Sequence, residues 1–343
     1  MTAEPKNTIP GRLQTPDLRR TARLIEAWFS RHQRPLPWRN GYDPYHVWVS
    51  EVMLQQTRME VVLPYFERFL GRFPSLAVLA AASDDDVTAA WSGLGYYRRA
   101  KMLRAGAAAV MQQFGGVVPS TVEELLTIPG IGRYTAGAIA SVAWQLRAPI
   151  VDGNVARVLS RVFGHEGDPW PIAEDLVRAC KSPRALNQGV MELGALICRP
   201  RNPSCLLCPL HEDCVARRTG RIDELPPPKP KKATRAMRIA LFIIRDRRGR
   251  VLVWRASGPL MNAMVHLPHG DRSLLESTPL DVARGDLLGT FRHTVTTRRI
   301  EFVVYAATLR GRAKRGYEWI DPDALADMPH PSYVKKALRF VAS

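Results

Sequence analysis

Leu126-Thr-Ile-Pro-Gly-Ile-Gly-Arg-Tyr-Thr-Ala-Gly-Ala-Ile-Ala140 is the stretch from which the fold can be read outward. An apolar segment runs into a Pro129-Gly130-Ile131-Gly132 turn, and a helix of small residues leaves it. The glycines permit backbone geometry that other residues resist. Exposed N–H groups of Gly130 and Gly132 at the start of the second helix suit a phosphate oxygen. An ordinary corner between two helices can use the same turn, so the surroundings must decide between the two.

Upstream and downstream the pattern stays helical from about Thr15 to Val177. Apolar residues recur at helical spacing in Leu24–Phe29, Val47–Leu54, Val61–Phe69 and Met102–Val110. Asp43-Pro44, Phe73-Pro74, Gly93-Leu94-Gly95 and Gly115-Gly116 break these runs. Ser83 before three aspartates, and Ser120 before Glu123, are expected N-caps. The texture changes at Leu225-Pro-Pro-Pro-Lys-Pro-Lys-Lys232, which cannot continue a helix. Beyond it, strands are expected at Ile239–Ile244, Val251–Trp254 and Ile300–Ala306, with a hairpin turn across Ile244–Gly249 and a closing helix near Pro331–Val341.

The chain has 343 residues, which suits two or three domains. Its apolar content of 46% is too high for a disordered chain. No run approaches the ~18 apolar residues of a membrane span, and the N-terminus lacks a signal-peptide core. A soluble, cytoplasmic monomer without a membrane partner is the expectation. The net charge of +17 favours a polyanionic partner. Residues 1–225 carry 27 Lys and Arg against 22 Asp and Glu, whereas residues 226–343 carry 22 against 10, so the excess lies mainly in the C-terminal third.

Four of the five cysteines follow the spacing Cys198-x6-Cys205-x2-Cys208-x5-Cys214. Four soft thiolates in one short loop suit a [4Fe–4S] cluster or zinc rather than a secreted disulfide framework. Arg199 and Arg201 stand between the first two thiols, placed to meet a phosphate or simply to be solvated. Cys180 lies outside the motif and is expected in the core. Two carboxylates also stand out. Asp152 follows Pro149-Ile-Val and precedes Gly153-Asn154-Val155, at the mouth of a new helix, where the helix dipole favours its ionised form. A plain N-cap would look the same. Glu51 interrupts the apolar Val49-Ser-Glu-Val-Met-Leu, where burial would raise its pKa toward that of a general acid. A surface glutamate on an amphipathic helix is the alternative. Cleavage of an N-glycosidic bond needs an acid for the departing base and an anion for the charge growing on the sugar.

The cysteine spacing and the Pro-Gly-Ile-Gly turn together resemble the endonuclease III and MutY superfamily. Leu36-Pro-Trp-Arg39, Trp48-Val-Ser-Glu-Val-Met-Leu-Gln-Gln-Thr57, Trp91-Ser-Gly-Leu-Gly-Tyr-Tyr97, Asp152-Gly-Asn-Val155 and Met191-Glu-Leu-Gly-Ala195 resemble adenine DNA glycosylases of the MutY family in particular. The resemblance implies a mainly α fold. A two-lobed helix-hairpin-helix glycosylase domain (residues 15–225) would hold a [4Fe–4S] cluster in the loop 198–214. A basic linker (226–236) would lead to a small α+β Nudix-like domain (237–343) that lacks the Nudix hydrolase motif.

By the same resemblance, Glu51 protonates adenine at N7, Asp152 stabilises or captures the oxocarbenium-like sugar, and Tyr134 and Asn154 support it. Arg39 and Glu192 line the pocket for the flipped adenine. Gln56, Leu94 and Tyr96 fill the base stack around the opposite base. Gly130, Gly132, Arg199 and Arg201 meet the DNA backbone, and Cys198, Cys205, Cys208 and Cys214 bind the cluster. The partner implied is duplex DNA with adenine opposite 8-oxoguanine or guanine. Tyr134 stands where endonuclease III-like enzymes carry a lysine that attacks the sugar, so a monofunctional glycosylase is expected. Many family members read the oxidised base with Phe-Ser-His; here those positions are Val295-Thr296-Thr297, leaving Thr296 and Thr297 as the candidate lesion-recognition residues. A binding-only iron–sulfur protein and a glycosylase for another lesion are the competing readings.

Overall fold

The computed structural model describes residues 15–228, 234–255, 265–271, 280–295, 298–313, 315–328 and 330–340. Twelve helices come first among them: α1 (Leu18–His32), α2 (Pro44–Leu54), α3 (Met59–Arg72), α4 (Leu76–Ala81), α5 (Asp84–Ala90), α6 (Arg98–Gln113), α7 (Val122–Thr127), α8 (Arg133–Ala138), α9 (Gly153–Phe163), α10 (Trp170–Ala179), α11 (Pro183–Leu196) and α12 (Val215–Arg218). The chain divides into two compact units, each discontinuous. One comprises Met1–Gln55 and Ala109–Lys229, the other Gln56–Ala108 and Pro230–Ser343. The division therefore runs through the 15–225 segment, at Gln55 and Ala108, and not only at the basic linker.

In the first unit α1, α9, α10 and α11 share one core. Ile25, Phe29, Val158, Leu159, Leu186, Val190 and Leu193 are buried in it, each stabilising by roughly 1.5–3 kcal/mol. Asp17 caps α1 by accepting from the Arg20 N–H at 2.6 Å, and Ala22, Ile25 and Phe29 then fall on one face. Gly194 on α11 allows α9 to approach; a Cβ there would lie 2.7 Å from Asn154 Cβ. Cys180 is buried in this core, as its place outside the cysteine motif suggests.

The stretch 126–140 forms a helical hairpin. Thr121, not Ser120, caps α7: its Oγ1 accepts from the Glu124 N–H at 3.3 Å and donates to Glu124 Oε2 at 2.7 Å, one residue on from the expected cap. Ser83 does cap α5, accepting from the Asp86 N–H at 3.0 Å. Between α7 and α8 the Ile131 N–H donates to Ile128 O at 3.1 Å, and Gly130 takes φ +86°, a region closed to most L residues. α8 runs on into a π-turn, Ile139–Ala143. From there the chain returns to α9, tethered by Asn187, whose Nδ2 donates to Ala148 O and Ser141 Oγ at 2.8 Å each.

The C-terminal region contains β1 (Arg235–Ile244), β2 (Val251–Arg255), β3 (Val265–His266), β4 (His269–Asp271), β5 (Val282–Val295), β6 (Arg298–Leu309), β7 (Tyr317–Ile320), α13 (Pro322–Asp327) and α14 (Ser332–Leu338). One sheet has the order β4-β1-β6-β5, with β1 and β6 parallel; the other has the order β3-β2-β7. The turn after Ile244 is tight, with the Asp246 N–H donating to Arg250 O at 3.0 Å. It joins two sheets, though, because β1 and β2 enter different ones. The long β5 was not legible in the sequence. Its pairing with β6 slips between Arg284 and Leu287 and again before Gly289, so no even alternation survives. This α+β region has its own core, including Leu241, Val253, Phe291, Phe302 and Val304.

Candidate active site

Glu51 sits near the end of α2, a helix buried on all sides, and is itself only 8% exposed. Tyr134, early in α8, donates from Oη to Glu51 Oε2 at 2.8 Å; Met191 Sδ lies 3.2 Å from the same hydroxyl. Burial is the largest influence on Glu51, and the Asp152 charge adds to it. The Tyr134 hydrogen bond and Arg39 oppose them, and the balance places its pKa at about 7. Burial, with the two carboxylates beside it, drives the Tyr134 phenol well above its usual value, so it stays a neutral donor. Glu51, Tyr134 and Asp152, scattered over a hundred residues, thus act on one another electrostatically.

Asp152 caps α9, its Oδ1 accepting from the Val155 N–H at 2.7 Å. The cap and the active-site reading are therefore compatible: one oxygen is committed to the helix. Asn154 Nδ2 donates to the other, Oδ2, at 3.3 Å. Burial raises the Asp152 pKa, and the Val155 and Asn154 hydrogen bonds offset this only in part. The dipole-stabilised ion expected from sequence is thus opposed by burial, the larger effect.

Sequence reasoning missed Arg157, one turn further along α9. It donates to Asn154 Oδ1 at 2.8 Å, to Gly194 O at 2.8 Å and to Cys198 O at 2.7 Å, fixing the asparagine that touches Asp152. The only available signal was the helical spacing from Asn154.

Arg39 ends a tight Pro37–Arg39 turn, and Glu192 is buried in the C-terminal half of α11. Arg39 Nη2 donates to Glu192 Oε2 at 2.8 Å, and Arg34 Nε to Glu192 Oε1 at 2.7 Å. Burial pushes Glu192 up, but the two guanidinia more than compensate and hold it below the usual carboxylate range. Arg39 Nε also donates to Gln188 Oε1 at 2.9 Å. Arg34 and Gln188 were missed; Gln188 stands one helical turn before Glu192, which was the available hint.

The second unit carries the expected stack-filling residues. Gln56 and Tyr96 are exposed, and both hold left-handed φ values, +57° and +49°. Such backbone is costly for residues with a Cβ and is often kept at functional sites. Arg99 braces the two segments, with Nη2 donating to Thr57 Oγ1, Leu94 O and Gly95 O. Leu94 departs from expectation. It is 6% exposed, because the loop with Gly93 and Gly95 at positive φ turns it inward and Tyr96 outward.

Gly130, Gly132, Arg199 and Arg201 are all exposed. Thr296 and Thr297 lie outside the described residues.

Cys198, Cys205, Cys208 and Cys214 line one pocket, together with Val158, Val162, Leu193 and Ile197. Among the described residues no three metal-binding side chains converge tightly enough for a single ion. Zinc would draw each sulfur to about 2.3 Å from one point. Four thiols lining one pocket, with apolar side chains behind them, suit a multi-atom cluster of soft ligands. Arg161 stitches the loop down, donating to Arg199 O at 2.8 Å, Pro200 O at 3.1 Å and Leu225 O at 2.9 Å, and reaching Cys198 Sγ at 3.5 Å. Burial pushes the Cys208 thiol up to about 12, so binding must displace its proton.

The profile of the HhH-GPD superfamily of base excision DNA repair proteins matches residues 49–182. An adenine DNA glycosylase of Mycolicibacterium smegmatis is 41% identical over 201 residues, covering 57% of this chain and 68% of that relative. The chain belongs to the MutY family of adenine DNA glycosylases. The family's rat adenine DNA glycosylase is 43% identical over 225 residues, covering 60% of this chain. The chain spans well under half the length of this mammalian relative, 43%. A solved thermostable thymine-DNA glycosylase matches with a TM-score of 0.55 and 29% identity, over 59% of this chain and 97% of that one. An endonuclease III–DNA complex matches at a TM-score of 0.52 and 21% identity, a likeness of fold. The stretch matched by the HhH-GPD profile contains Glu51, Tyr134 and Asp152. Among the described residues no helix is long and apolar enough to cross a membrane.

Proposed function

We propose that this protein excises adenine mispaired with 8-oxoguanine or guanine in duplex DNA, cleaving the N-glycosidic bond and leaving an abasic site. What carries the proposal is Glu51, a buried carboxyl with a pKa of about 7, bonded to Tyr134 and facing the charge of Asp152. The glycosidic bond is out of reach inside the duplex, so the adenine must be flipped out. Glu51, whose raised pKa lets it carry a proton near neutral pH, passes that proton to adenine N7, and the C1′–N9 electron pair leaves with the base. Asp152 offers negative charge to the oxocarbenium-like sugar, or captures it, and Asn154 fixes the oxygen not used in capping α9. Water completes the hydrolysis. Tyr134 cannot replace the amine of a lyase, so no strand cleavage follows.

Arg39 and Glu192 border the base pocket as a preset ion pair. Gln56 and Tyr96 meet the duplex around the opposite base, and Leu94 does so if its loop reorganises. Gly130, Gly132, Arg199 and Arg201 hold phosphates. Cys198, Cys205, Cys208 and Cys214 hold a [4Fe–4S] cluster, which supplies a rigid, charged support for that loop rather than a step of the reaction. The domain 237–343 reads the opposite base, with Thr296 and Thr297 as its recognition residues, and the protein works inside the cell as a monomer.

The test is single-turnover adenine release from duplexes with adenine opposite 8-oxoguanine, guanine and thymine, using wild type and Glu51→Gln. Release from the first two only, abolished by the substitution, is the expected result. Intact protein that binds duplex and releases nothing would instead favour a binding-only iron–sulfur protein.

A further inference from the structure

The larger C-terminal sheet has two basic ends. At one, where β5 finishes and β6 begins, Arg292, Arg298 and Arg299 are exposed, and exposed Arg235 opens β1 level with Arg298. This end leads to Thr296 and Thr297. At the other end β1 stops at Ile244 and β6 at Leu309, with Ile244 in register with Ala307. The chain leaving β1 carries Arg245, Arg247 and Arg248, and the chain leaving the adjacent β6 carries Arg310 and Arg312. All five are exposed.

Two acids adjoin these five. Asp246, within the same turn, is taken by Arg250 at 2.7 Å. Asp281, beside Arg310 through a backbone bond, is exposed. Among the described residues none of the five forms an ion pair. Elsewhere in this region arginines do pair: Arg238 with Glu301 at 3.0 Å, and Arg255 with Glu318 at 2.6 Å. Positive charge is thus in excess at the sheet ends, and a polyanion lying there would relieve the repulsion.

The spacing of the two ends suggests which polyanion. β6 runs from Arg298 to Leu309, 12 residues. At about 3.3 Å per residue that is roughly 36–40 Å, close to one turn of duplex DNA, about 34–36 Å. We infer that Arg245, Arg247, Arg248, Arg310 and Arg312 form a second, sequence-independent contact with the phosphate backbone of the substrate duplex, about one helical turn from the mispair. The inference rests on the proposed function in taking a mispaired duplex as ligand. It adds a contact that the mispair site does not need for chemistry.

The experiment measures affinity for mispaired duplexes whose flank on either side grows from about 6 to about 16 base pairs, a range that brackets one helical turn. Wild type should gain tenfold or more once one flank passes about one turn. A variant with all five arginines changed to Gln should lose that gain, and its salt-dependence slope on the long duplex should fall by roughly three or more, at about 0.9 per phosphate contact. Changing the same five to Lys should restore both, which separates charge from misfolding. Adenine release from the short duplex at saturating enzyme should be the same in all three.

A Gln variant that keeps the flank gain and the slope overturns the inference. So does a wild type with no gain on either flank, and retention of the patch by an acidic peptide alone would then assign it to a protein partner. If no duplex releases adenine while the flank effect persists, the proposed activity fails and this contact stands.

Discussion

Two glutamates are buried in the same unit, Glu51 at the end of α2 and Glu192 in the C-terminal half of α11, and they are held in opposite states. Glu192 is gripped by Arg34 and Arg39 and ionises more readily than usual. Glu51 has a phenol and a second carboxylate as its nearest influences, so its pKa climbs to about 7. The residue type is the same; what differs is whether a cation arrives to match the cost of burial. One region therefore holds a fixed charge for orientation, and the other holds a proton that can leave.

The largest expected effect breaks this contrast at the proton. Glu51→Gln keeps shape but has no proton to transfer, and should slow single-turnover adenine release by about a thousandfold, within the usual range for a general acid. A loss below tenfold would mean that Glu51 is not the acid. Next comes the fixed charge. Glu192→Ala strands two partly buried guanidinia and should destabilise the protein by about 3–5 kcal/mol, read from denaturant midpoints. A near-neutral result would show that Arg34 and Arg39 swing out to water, and that the clamp is not rigid.

The same Glu51→Gln substitution should have the opposite sign in stability. The folded protein binds the Glu51 proton at about pH 7, the unfolded chain near 4.5. The stability this proton contributes is full below about 4.5 and is lost as pH rises through 7. At pH 8 the fold must carry an ion it disfavours, by roughly 3 kcal/mol at about 1.4 kcal/mol per pH unit. The Gln variant should thus be more stable than wild type at pH 8 and indistinguishable from it near pH 4. Equal stability at both pH values would place the Glu51 pKa near its ordinary value. The smallest effect belongs to Tyr134→Phe. Removing a hydrogen bond that favours ionised Glu51 should move the alkaline limb of the rate–pH profile upward, with only a modest change in maximal rate. A downward shift would mean that Tyr134 stabilises the protonated form instead.

How much of this was legible in the sequence differs by element. The hairpin at 126–140 was, because Gly130 must take positive φ and a Pro-Gly turn between apolar runs leaves little choice. Asp152 was legible as a cap but not in its ionisation, since the dipole could be read locally and the burial could not. The burial of Leu94 was not legible: two glycines in left-handed geometry set its direction, and a motif does not record direction. β5 stayed hidden because bulges break its alternation. Arg34, Gln188, Arg157 and Arg161 escaped notice because an arginine or glutamine near a site looks, in sequence, like any solvated side chain.

By itself the sequence determined the helix spacing, the turn, the four-thiol loop and the change to strands after Leu225, all features written within a few residues of one another. Only the tertiary structure decided that Glu51, Tyr134 and Asp152 share one electrostatic environment and that Arg34 and Arg39 close directly on Glu192. Those facts depend on where segments separated by a hundred residues come to rest. A buried carboxyl's pKa is set by the water it loses and the charges it gains from them.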